Sequence, residues 1–380
     1  MEVWSSYRQK DLAARLLAKV KGLAREAADK LGRRPLIMEV CGTHTVALAR
    51  SGLRSLLADC LDLRSGPGCP VCVTAPEDID YMLLLARQPE VIIATFGDML
   101  RVPGTGGSLE KAKREGSRVQ VCYNPREALE LALSHPEKEV VFLGIGFETT
   151  APAIGLTVQE ALGQGIRNFS VFSMHKLVPP ALAALARDPE LKLDGFLLPG
   201  HVSAILGPRA YAFLSEEYNL PGAIAGFEVI DILGALLELL LQVRKREGKI
   251  INAYPRVVTP TGNRKAQQVL EEVFRPQAAN WRGLGLIPDS GLCLKGPYAE
   301  LDATRRWPLE IKPSRPPAGC RCGEILRGHC LPLECPLFAG QCTPWNPVGP
   351  CMVSSEGACA AYYRYARTEV FPKEVWFSGG

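Results

Sequence analysis

The feature that most constrains the fold is an alternation, between residue 36 and about residue 245, of short apolar runs with helical stretches. Apolar runs separated by helices are typical of buried parallel strands, because the helices then cover both faces of the sheet. The stretch is longer than one doubly wound sheet needs, so we predict two sheets, divided near residue 135. The predicted strands are 36–40, 91–96, 118–123, 140–145, 169–174, 195–200 and 222–227.

The composition changes after residue 250, where Pro and Gly become dense and helical periodicity fades. Eight of the thirteen cysteines lie between residues 293 and 359. Such a segment needs something other than a large apolar core to hold it together. We therefore predict an α/β protein with two doubly wound parallel-sheet domains that face a cleft, plus an irregular C-terminal domain. The predicted ranges are 1–135, 136–248 and 249–380.

Charge and hydropathy argue against two classes of partner. The net charge is only +4, without a dense Lys/Arg stripe of the kind that binds a phosphate backbone, so we expect no nucleic-acid partner. The most apolar run, 232–243, is too short to span a bilayer and carries Glu238. The first residues form an amphipathic helical pattern and not a secretory signal. We therefore expect a cytoplasmic protein without a membrane span.

Thirteen cysteines are unexpected in a reducing compartment, where structural disulfides are rare. Metal binding, catalysis or redox chemistry then becomes their expected use. The stretch Cys69-Pro70-Val71-Cys72 permits either a reducible disulfide or chelation of one metal ion. A single CxxC cannot complete a tetrahedral zinc site, and no second CxxC follows at zinc-ribbon spacing. Redox use is therefore favoured.

Reactive residue types follow most of the predicted strands. Ligands of open α/β sheets gather beyond the carboxyl ends of the strands, so this placement indicates a cleft. Cys41, three residues before His44, is a candidate nucleophile or metal ligand, with an inert buried thiol as the alternative. Glu148 could instead belong to a helix start, and His201 could be a buried histidine bonded to backbone. The complete set is Cys41, His44, Asp98, Glu148, His175, His201 and Glu228.

The C-terminal cysteines are dispersed among prolines and glycines. Zinc fingers use tightly paired spacings, which are absent here apart from one Cys-x-Cys. Four dispersed thiolates are enough for a 4Fe–4S cluster, which we therefore predict, with structural zinc as the alternative. The cysteines of this segment are Cys320, Cys322, Cys330, Cys335, Cys342, Cys351 and Cys359.

Taken together, these motifs resemble those of the HypD family of hydrogenase maturation factors, in order and over nearly the whole chain. The motifs are long and unusual, although Val229 stands where we expect proline in the family pattern. They read CGTHT (41–45), GPGCPVC (66–72), TFGDMLRVPG (95–104), GFETTAPA (146–153), HKLVPPAL (175–182), PGHVSAILG (199–207) and MVSSEGACAAYYRY (352–365).

The resemblance implies a scaffold on which the Fe(CN)2CO unit of NiFe hydrogenases is assembled. Its implied partners are HypC and HypE, with a hydrogenase large-subunit precursor as a further one. In those terms Cys41 is a ligand of the iron that carries CN and CO. From its place on the turn after Cys41, we expect His44 either to lower the pKa of Cys41 or to orient it by a hydrogen bond. Cys69 and Cys72 are the thiol/disulfide pair, and the 4Fe–4S cluster restores their electrons one at a time. Glu148 and His201 are expected to serve the same chemistry.

The resemblance also selects cluster ligands from the C-terminal cysteines. Spacing does not separate Cys320 from Cys322 as the fourth ligand. The favoured ligands are Cys335, Cys342 and Cys359, with Cys330 and Cys351 as reserves.

Two other functions would use the same residues. An iron–sulfur-dependent thiol–disulfide reductase would use the CxxC and the cluster, but it leaves Cys41 and His44 without a task. A zinc-stabilised interaction protein would have no redox role. Nucleotide binding is not indicated, since neither a P-loop nor a G-x-G-x-x-G motif follows any predicted strand. We expect a redox-active assembly scaffold rather than a conventional turnover enzyme.

Overall fold

The computed structural model describes residues 2–311, 314 and 317–366, without the side chains of residues 2–9. Its strands are β1 Leu36–Glu39, β2 Asp62–Ser65, β3 Val91–Thr95, β4 Arg118–Val121, β5 Glu139–Gly144, β6 Phe169–Ser173, β7 Gly195–Pro199, β8 Gly222–Ala225, β9 Ile250–Asn252, β10 Phe274–Trp281 and β11 Gly285–Leu294. Its α-helices are α1 Glu2–Leu31, α2 Gly42–Arg50, α3 Leu53–Leu57, α4 Pro70–Val73, α5 Pro76–Ala86, α6 Leu109–Arg114, α7 Pro125–Ser134, α8 Ala151–Gly163, α9 Val178–Ala186, α10 Gly200–Leu206, α11 Ala212–Glu216, α12 Val229–Lys245, α13 Arg264–Val273, α14 Ala303–Arg306, α15 Cys322–Leu326, α16 Pro350–Val353 and α17 Ala358–Tyr365.

The first sheet has five parallel strands in the order β2-β1-β7-β8-β9. One face is covered by α1 and α12, where Val20 and Leu236 are fully buried in the same apolar core as Ile37 of β1. The long helix α12 begins with a capping box between Glu228 and Asp231, which satisfies N–H groups at its start. Neither α12 nor any other helix of the described residues is long and apolar enough to cross a membrane.

The second sheet has four parallel strands in the order β4-β3-β5-β6. Its outer face is covered by α7, α8 and the end of α13. Leu129 of α7 and Ile154 of α8 share a core with Phe142 of β5. The central strand β5 is buried on both faces, which explains why residues 140–143 are apolar without alternation.

The strand pairing corrects the predicted domain ranges. The strands β3 and β5 pair across residue 135, whereas β1 pairs with β7. Parallel neighbours need a crossover connection, and here the whole second sheet lies in the connection between β2 and β7. The α/β class with two parallel sheets is confirmed, but neither 1–135 nor 136–248 contains a complete sheet. The range 249–380 includes β9 of the first sheet, and its residues 367–380 lie outside the described part.

The inner faces of the two sheets share one apolar core. Met38 and Phe196 of the first sheet belong to it together with Ile93 and Leu143 of the second. Met352 and other residues of the cysteine-rich segment belong to the same core. The C-terminal part is also less irregular than predicted, because β10 and β11 form an antiparallel hairpin. The cysteine-rich segment is therefore packed onto the core that joins the two sheets.

Candidate functional site

Cys41 lies where β1 ends and α2 begins. It is 8% exposed and has an extended backbone with φ −150°, which makes it the N-cap of the helix. Burial raises the pKa of Cys41 to about 12; the backbone N–H of His44 opposes this rise, and the carboxylates of Glu39 and Glu356 add to it. Cys41 is therefore a buried thiol whose deprotonated form needs a cation, such as a metal ion, at the sulfur.

The GPGCPVC loop lies against the backbone of Cys41. Gly42 donates its N–H to the carbonyl oxygen of Gly68 at 2.9 Å. A Cβ atom on Gly68 would lie 2.5 Å from Cys41 Cα and 2.6 Å from the carbonyl carbon of Val40, closer than real Cβ contacts. The missing side chain therefore lets the loop reach the end of β1. Cys69 follows directly.

Cys69 and Cys72 are joined by a disulfide. Cys69 is the N-cap of α4, with Pro70 in the first helical position, and its sulfur accepts a hydrogen bond from Cys72 N at 3.3 Å. The two residues are only 3% and 0% exposed. The predicted pair is thus held at bonding distance inside the core, with a backbone donor at one sulfur that would stabilise a thiolate.

The ring of His44 is bonded to the loop after β8. Its Nε2 lies 2.9 Å from Gly226 O, and its Nδ1 has no partner among the described residues. Burial lowers the pKa of His44 to about 4, so the ring is neutral at pH 7 and donates through Nε2. The backbone of His44, not its ring, acts on Cys41. The expected hydrogen bond from the ring to Cys41 is therefore replaced by one to backbone.

His44 and His201 both pack on the ring of Phe227. The ring centroids lie 4.9 Å and 4.1 Å from that of Phe227. His201 stands at the start of α10 and is exposed; partial burial lowers its pKa, and the carboxylate of Glu356 opposes this. The ends of β7 and β8 thus bring a second histidine towards the Cys41 region.

Glu356 is a site residue that sequence reasoning missed. Its Oε1 accepts a hydrogen bond from Thr43 Oγ1 at 2.9 Å, and a Cβ atom on Gly42 would lie 2.5 Å from Glu356 Cβ. Its carboxylate acts electrostatically on both Cys41 and His201. The only signal of Glu356 in the sequence is its place inside the motif MVSSEGACAAYYRY, three residues before Cys359.

Glu39 is a second missed residue, on β1 itself. It is fully buried, accepts hydrogen bonds from Cys41 N at 3.2 Å and Thr45 Oγ1 at 2.6 Å, and lies 3.6 Å from Arg54 Nη2. Burial raises the pKa of Glu39 to about 7 despite these contacts. Through its hydrogen bond from Cys41 N, the side chain of Glu39 holds the backbone at the end of β1.

Four free thiols line one small cavity in the cysteine-rich segment. They come from well-separated positions, namely Cys320, Cys335, Cys342 and Cys359. Cys322 lines the same cavity but forms a disulfide with Cys351. A set of four thiols around one cavity fits the ligand requirement of a 4Fe–4S cluster. The pairing of Cys322 favours Cys320 as the fourth ligand, and neither Cys330 nor the reserve Cys351 is needed.

The two disulfides are close to each other. Cys72 Sγ lies 4.0 Å from the carbonyl oxygen of Pro350, which directly precedes Cys351. A Cβ atom on Gly349 would lie 2.8 Å from Cys320 Sγ, so the same turn also touches the thiol cavity. The second disulfide was not predicted, since 29 positions separate its two cysteines.

Glu148 lies in a pocket of its own. Its Oε1 accepts from Val178 N at 2.9 Å, and its Oε2 has no partner among the described residues. Burial raises the pKa of Glu148 to about 7. The pocket has about 880 Å³ of empty space between α9 and α13 and contains no cysteine. Burial raises the pKa of Tyr211, and the charges of Glu148 and Cys41 add to the rise, so both residues lie near this tyrosine.

The other candidates at strand ends have local partners. His175 Nδ1 lies 2.9 Å from Ser173 Oγ, and Glu228 belongs to the capping box of α12. Asp98 accepts a hydrogen bond from Ser354 Oγ at 3.2 Å and so contacts the segment that carries Glu356. Of these three candidates, only Asp98 is thereby linked to the Cys41 region.

The chain is similar to known proteins over nearly its whole length. The family model HypD, described as the hydrogenase formation hypA family, matches residues 12–366. The hydrogenase expression/formation protein HupD of Azotobacter chroococcum mcd 1 is 45% identical over 99% of this chain and 100% of its own length. The hydrogenase maturation factors HypD of Cupriavidus necator and Escherichia coli K12 are each 43% identical, over 98% and 91% of this chain and 99% and 94% of their own.

Proposed function

This chain belongs to the HypD family of hydrogenase maturation factors, and on that premise we propose that it is the scaffold on which the Fe(CN)2CO unit is assembled. The single observation that carries the proposal is the placement of Cys41 beside a CxxC disulfide, because one thiol can then hold a metal while two others exchange electrons. The proposed partners are HypC, HypE and a hydrogenase large-subunit precursor. The protein acts as a redox-active scaffold rather than as a conventional turnover enzyme.

In this proposal the iron is cargo, and Cys41 supplies a thiolate to it. Thiolate is a soft ligand that suits an iron carrying strong-field cyanide and CO. The free thiol is protonated because it is buried, so metal binding releases a proton from Cys41. The neutral ring of His44 leaves Nδ1 as an acceptor without a partner among the described residues, and the carboxylate of Glu356 offers a further acceptor for a donor group of a cyanide carrier.

The reduced, dithiol form of Cys69 and Cys72 supplies the electrons of the reaction and becomes the disulfide as it does so. When the disulfide is reduced, two electrons and two protons convert the bond into two thiols, and these are given up again when it re-forms. Residues Cys320, Cys335, Cys342 and Cys359 would hold a 4Fe–4S cluster, which supplies single electrons when bound. The turn 349–351 touches both the thiol cavity and Cys72, which supports a route between them.

An infrared spectrum of the protein purified anaerobically with HypC tests the proposal. Wild type should show CO and cyanide stretching bands. Cys41→Ala should lose the bands but remain brown, since the thiol cavity is untouched. His44→Ala removes a ring that is bonded to Gly226 O and packs on Phe227, so it should weaken the bands by loosening the helix that begins after Cys41, while the brown colour is kept.

The matched control is Cys60→Ala, because Cys60 is a buried free thiol in the core under α1, away from the site. It should keep both the colour and the bands. Full bands in Cys41→Ala would refute the assignment of Cys41. A brown wild-type protein that reduces a disulfide substrate and never shows bands would favour the iron–sulfur-dependent thiol–disulfide reductase, and a colourless zinc protein would exclude both.

A further inference from the structure

Besides the thiol cavity, a second pocket lies at the cysteine-rich segment and opens to solvent. It has a volume of about 430 Å³ and is bounded by the end of β10, the start of α5 and the start of α15. Cys320 and Cys322 both line it. Among the free cysteines of the described residues, Cys320 is the one that is not buried. The pocket is therefore an opening from the surface to the thiol cavity.

Arg282 is the buried cation of this pocket. It is only 6% exposed, and its Nη2 has no partner among the described residues. Its backbone N–H donates to Val73 O at 2.9 Å and its Nε donates to Thr74 O at 3.0 Å. These bonds fix the guanidinium next to the residues that follow Cys72. An unpaired donor on a buried guanidinium is costly, which indicates that an acceptor occupies the position in the working complex.

The approach of the hairpin to the cysteine-rich segment depends on two glycines. Gly283, with φ +85°, packs directly on Gly323, and a Cβ atom on Gly283 would lie 2.5 Å from Gly323 Cα. The hairpin turn therefore touches α15 one residue after Cys322. Arg282 therefore lies between the CxxC helix α4 and the contact of Gly283 with Gly323. Backbone atoms on both sides fix the position of its guanidinium.

The remaining charges of the pocket leave a positive balance. Arg321 is paired with Glu324 at the rim. Arg327 lines the pocket with an Nε that has no partner among the described residues, and Glu77 is the remaining acidic lining residue. Asp78 and Asp80 also lie near Arg282 but do not line the pocket; Asp78 accepts from Lys176 Nζ at 3.2 Å and Asp80 from Thr105 N at 2.7 Å. The lining of the pocket thus carries three arginines against two glutamates, and Arg282 and Arg327 each have one nitrogen without a partner among the described residues.

We propose that this pocket is where electrons enter the protein and that it receives a carboxylate side chain from an acidic one-electron donor protein. The inference rests on the redox role in the proposed function and adds the chemistry of the donor. Each encounter would oxidise the donor by one electron, and a one-electron group held by the cavity thiols would accept that electron and pass it to the disulfide. Two encounters, with two protons from solvent, open the Cys69–Cys72 disulfide to two thiols. A guanidinium in the pocket binds a carboxylate in a bidentate geometry, which orients the donor.

Stopped-flow reduction of the anaerobic holoprotein by two donors tests the proposal. The acidic donor is a reduced plant-type 2Fe–2S ferredoxin, and the cationic donor is the reduced methyl viologen radical. With ferredoxin, Arg282→Gln should slow reduction about 10-fold, and the wild-type rate should fall steeply with added salt. With methyl viologen, the same variant should match or exceed wild type.

Arg275→Gln is the matched control, because Arg275 is an exposed arginine on the same strand, at the opposite end. It should leave both rates unchanged. Arg327→Gln is the second variant. Arg327 makes no bonds like those of Arg282 to Val73 O and Thr74 O, so its replacement removes a charge without disturbing that backbone contact. It should also slow only the ferredoxin reaction. Unchanged ferredoxin rates in both pocket variants would overturn the pocket alone, while failure of methyl viologen to reduce wild type would overturn the redox role as well.

Discussion

Replacing Gly68 with alanine tests whether the approach of the GPGCPVC loop to β1 sets the geometry of the site. The added Cβ would lie 2.5 Å from Cys41 Cα and 2.6 Å from the carbonyl carbon of Val40. Both atoms belong to the backbone of a buried strand end, so neither can move aside as a flexible side chain would. Overpacking a rigid core costs typically about 1–3 kcal/mol, and we expect the upper end, ~3 kcal/mol, because both clashes are with backbone.

The assay is denaturant unfolding under anaerobic conditions, combined with the infrared bands of the complex with HypC. Gly68→Ala should lower the free energy of unfolding by that amount and shift or remove the bands, since the loop is forced away from Cys41. Gly22→Ala is the control, because no atom lies within 4 Å of its added Cβ in α1. It should stabilise the protein by about 0.5–1 kcal/mol. An unchanged unfolding midpoint with unchanged bands in Gly68→Ala would refute the packing argument.

Two further predictions concern charge and metal content. Burial raises the pKa of Glu148 from 4.5 to about 7, so the native state holds a proton that the unfolded state has lost, and stability falls as pH rises between these values. The free energy of unfolding of Glu148→Gln should therefore rise by about 2–3 kcal/mol relative to that of wild type between pH 5 and pH 8. The control is Glu130→Gln at an exposed position, whose difference from wild type should not change with pH in this way. A difference that stays constant with pH for Glu148→Gln would contradict the prediction. Cys335→Ala should lose most of the iron, about four per chain in wild type, while Cys330→Ala should keep it; equal iron in both would disprove the assignment of the cavity thiols.

The strands were predictable from the sequence because most of them are continuous apolar runs. Residues 140–145 and 195–200 are examples, and they match β5 and β7. The edge strand β2 was missed, since Asp62–Ser65 carries two charged residues. Sheet membership was not predictable, because an apolar run indicates burial on both faces but does not identify its neighbours. That limit explains why the division at residue 135 differs from the strand pairing.

In the candidate site, too, features within a few adjacent residues were predictable, whereas contacts between residues far apart in the chain were not. Cys41 and the CxxC were found because their chemistry is visible in a few adjacent residues. Glu356 was missed because its contact with Thr43 joins residues 313 positions apart. In the same way, two residues of spacing do not distinguish Cys320 from Cys322. Only the distant partner Cys351 makes the two different.

The region around Cys41 and the thiol cavity of the cysteine-rich segment are coupled by packing. The predicted ranges put Cys41 in 1–135 and the cavity thiols in 249–380, so a variant at one site would be expected to leave the other intact. In the structure, α17 packs against α2, and Glu356 holds Thr43 beside Cys41. Cys41→Ala removes a sulfur atom but keeps the bond from Gly42 to Gly68, so chemical independence of the regions is retained. A change that separates α17 from α2 disturbs both regions together, because the last thiol of the cavity, Cys359, lies on that helix. The regions are therefore separable by chemistry but not by packing.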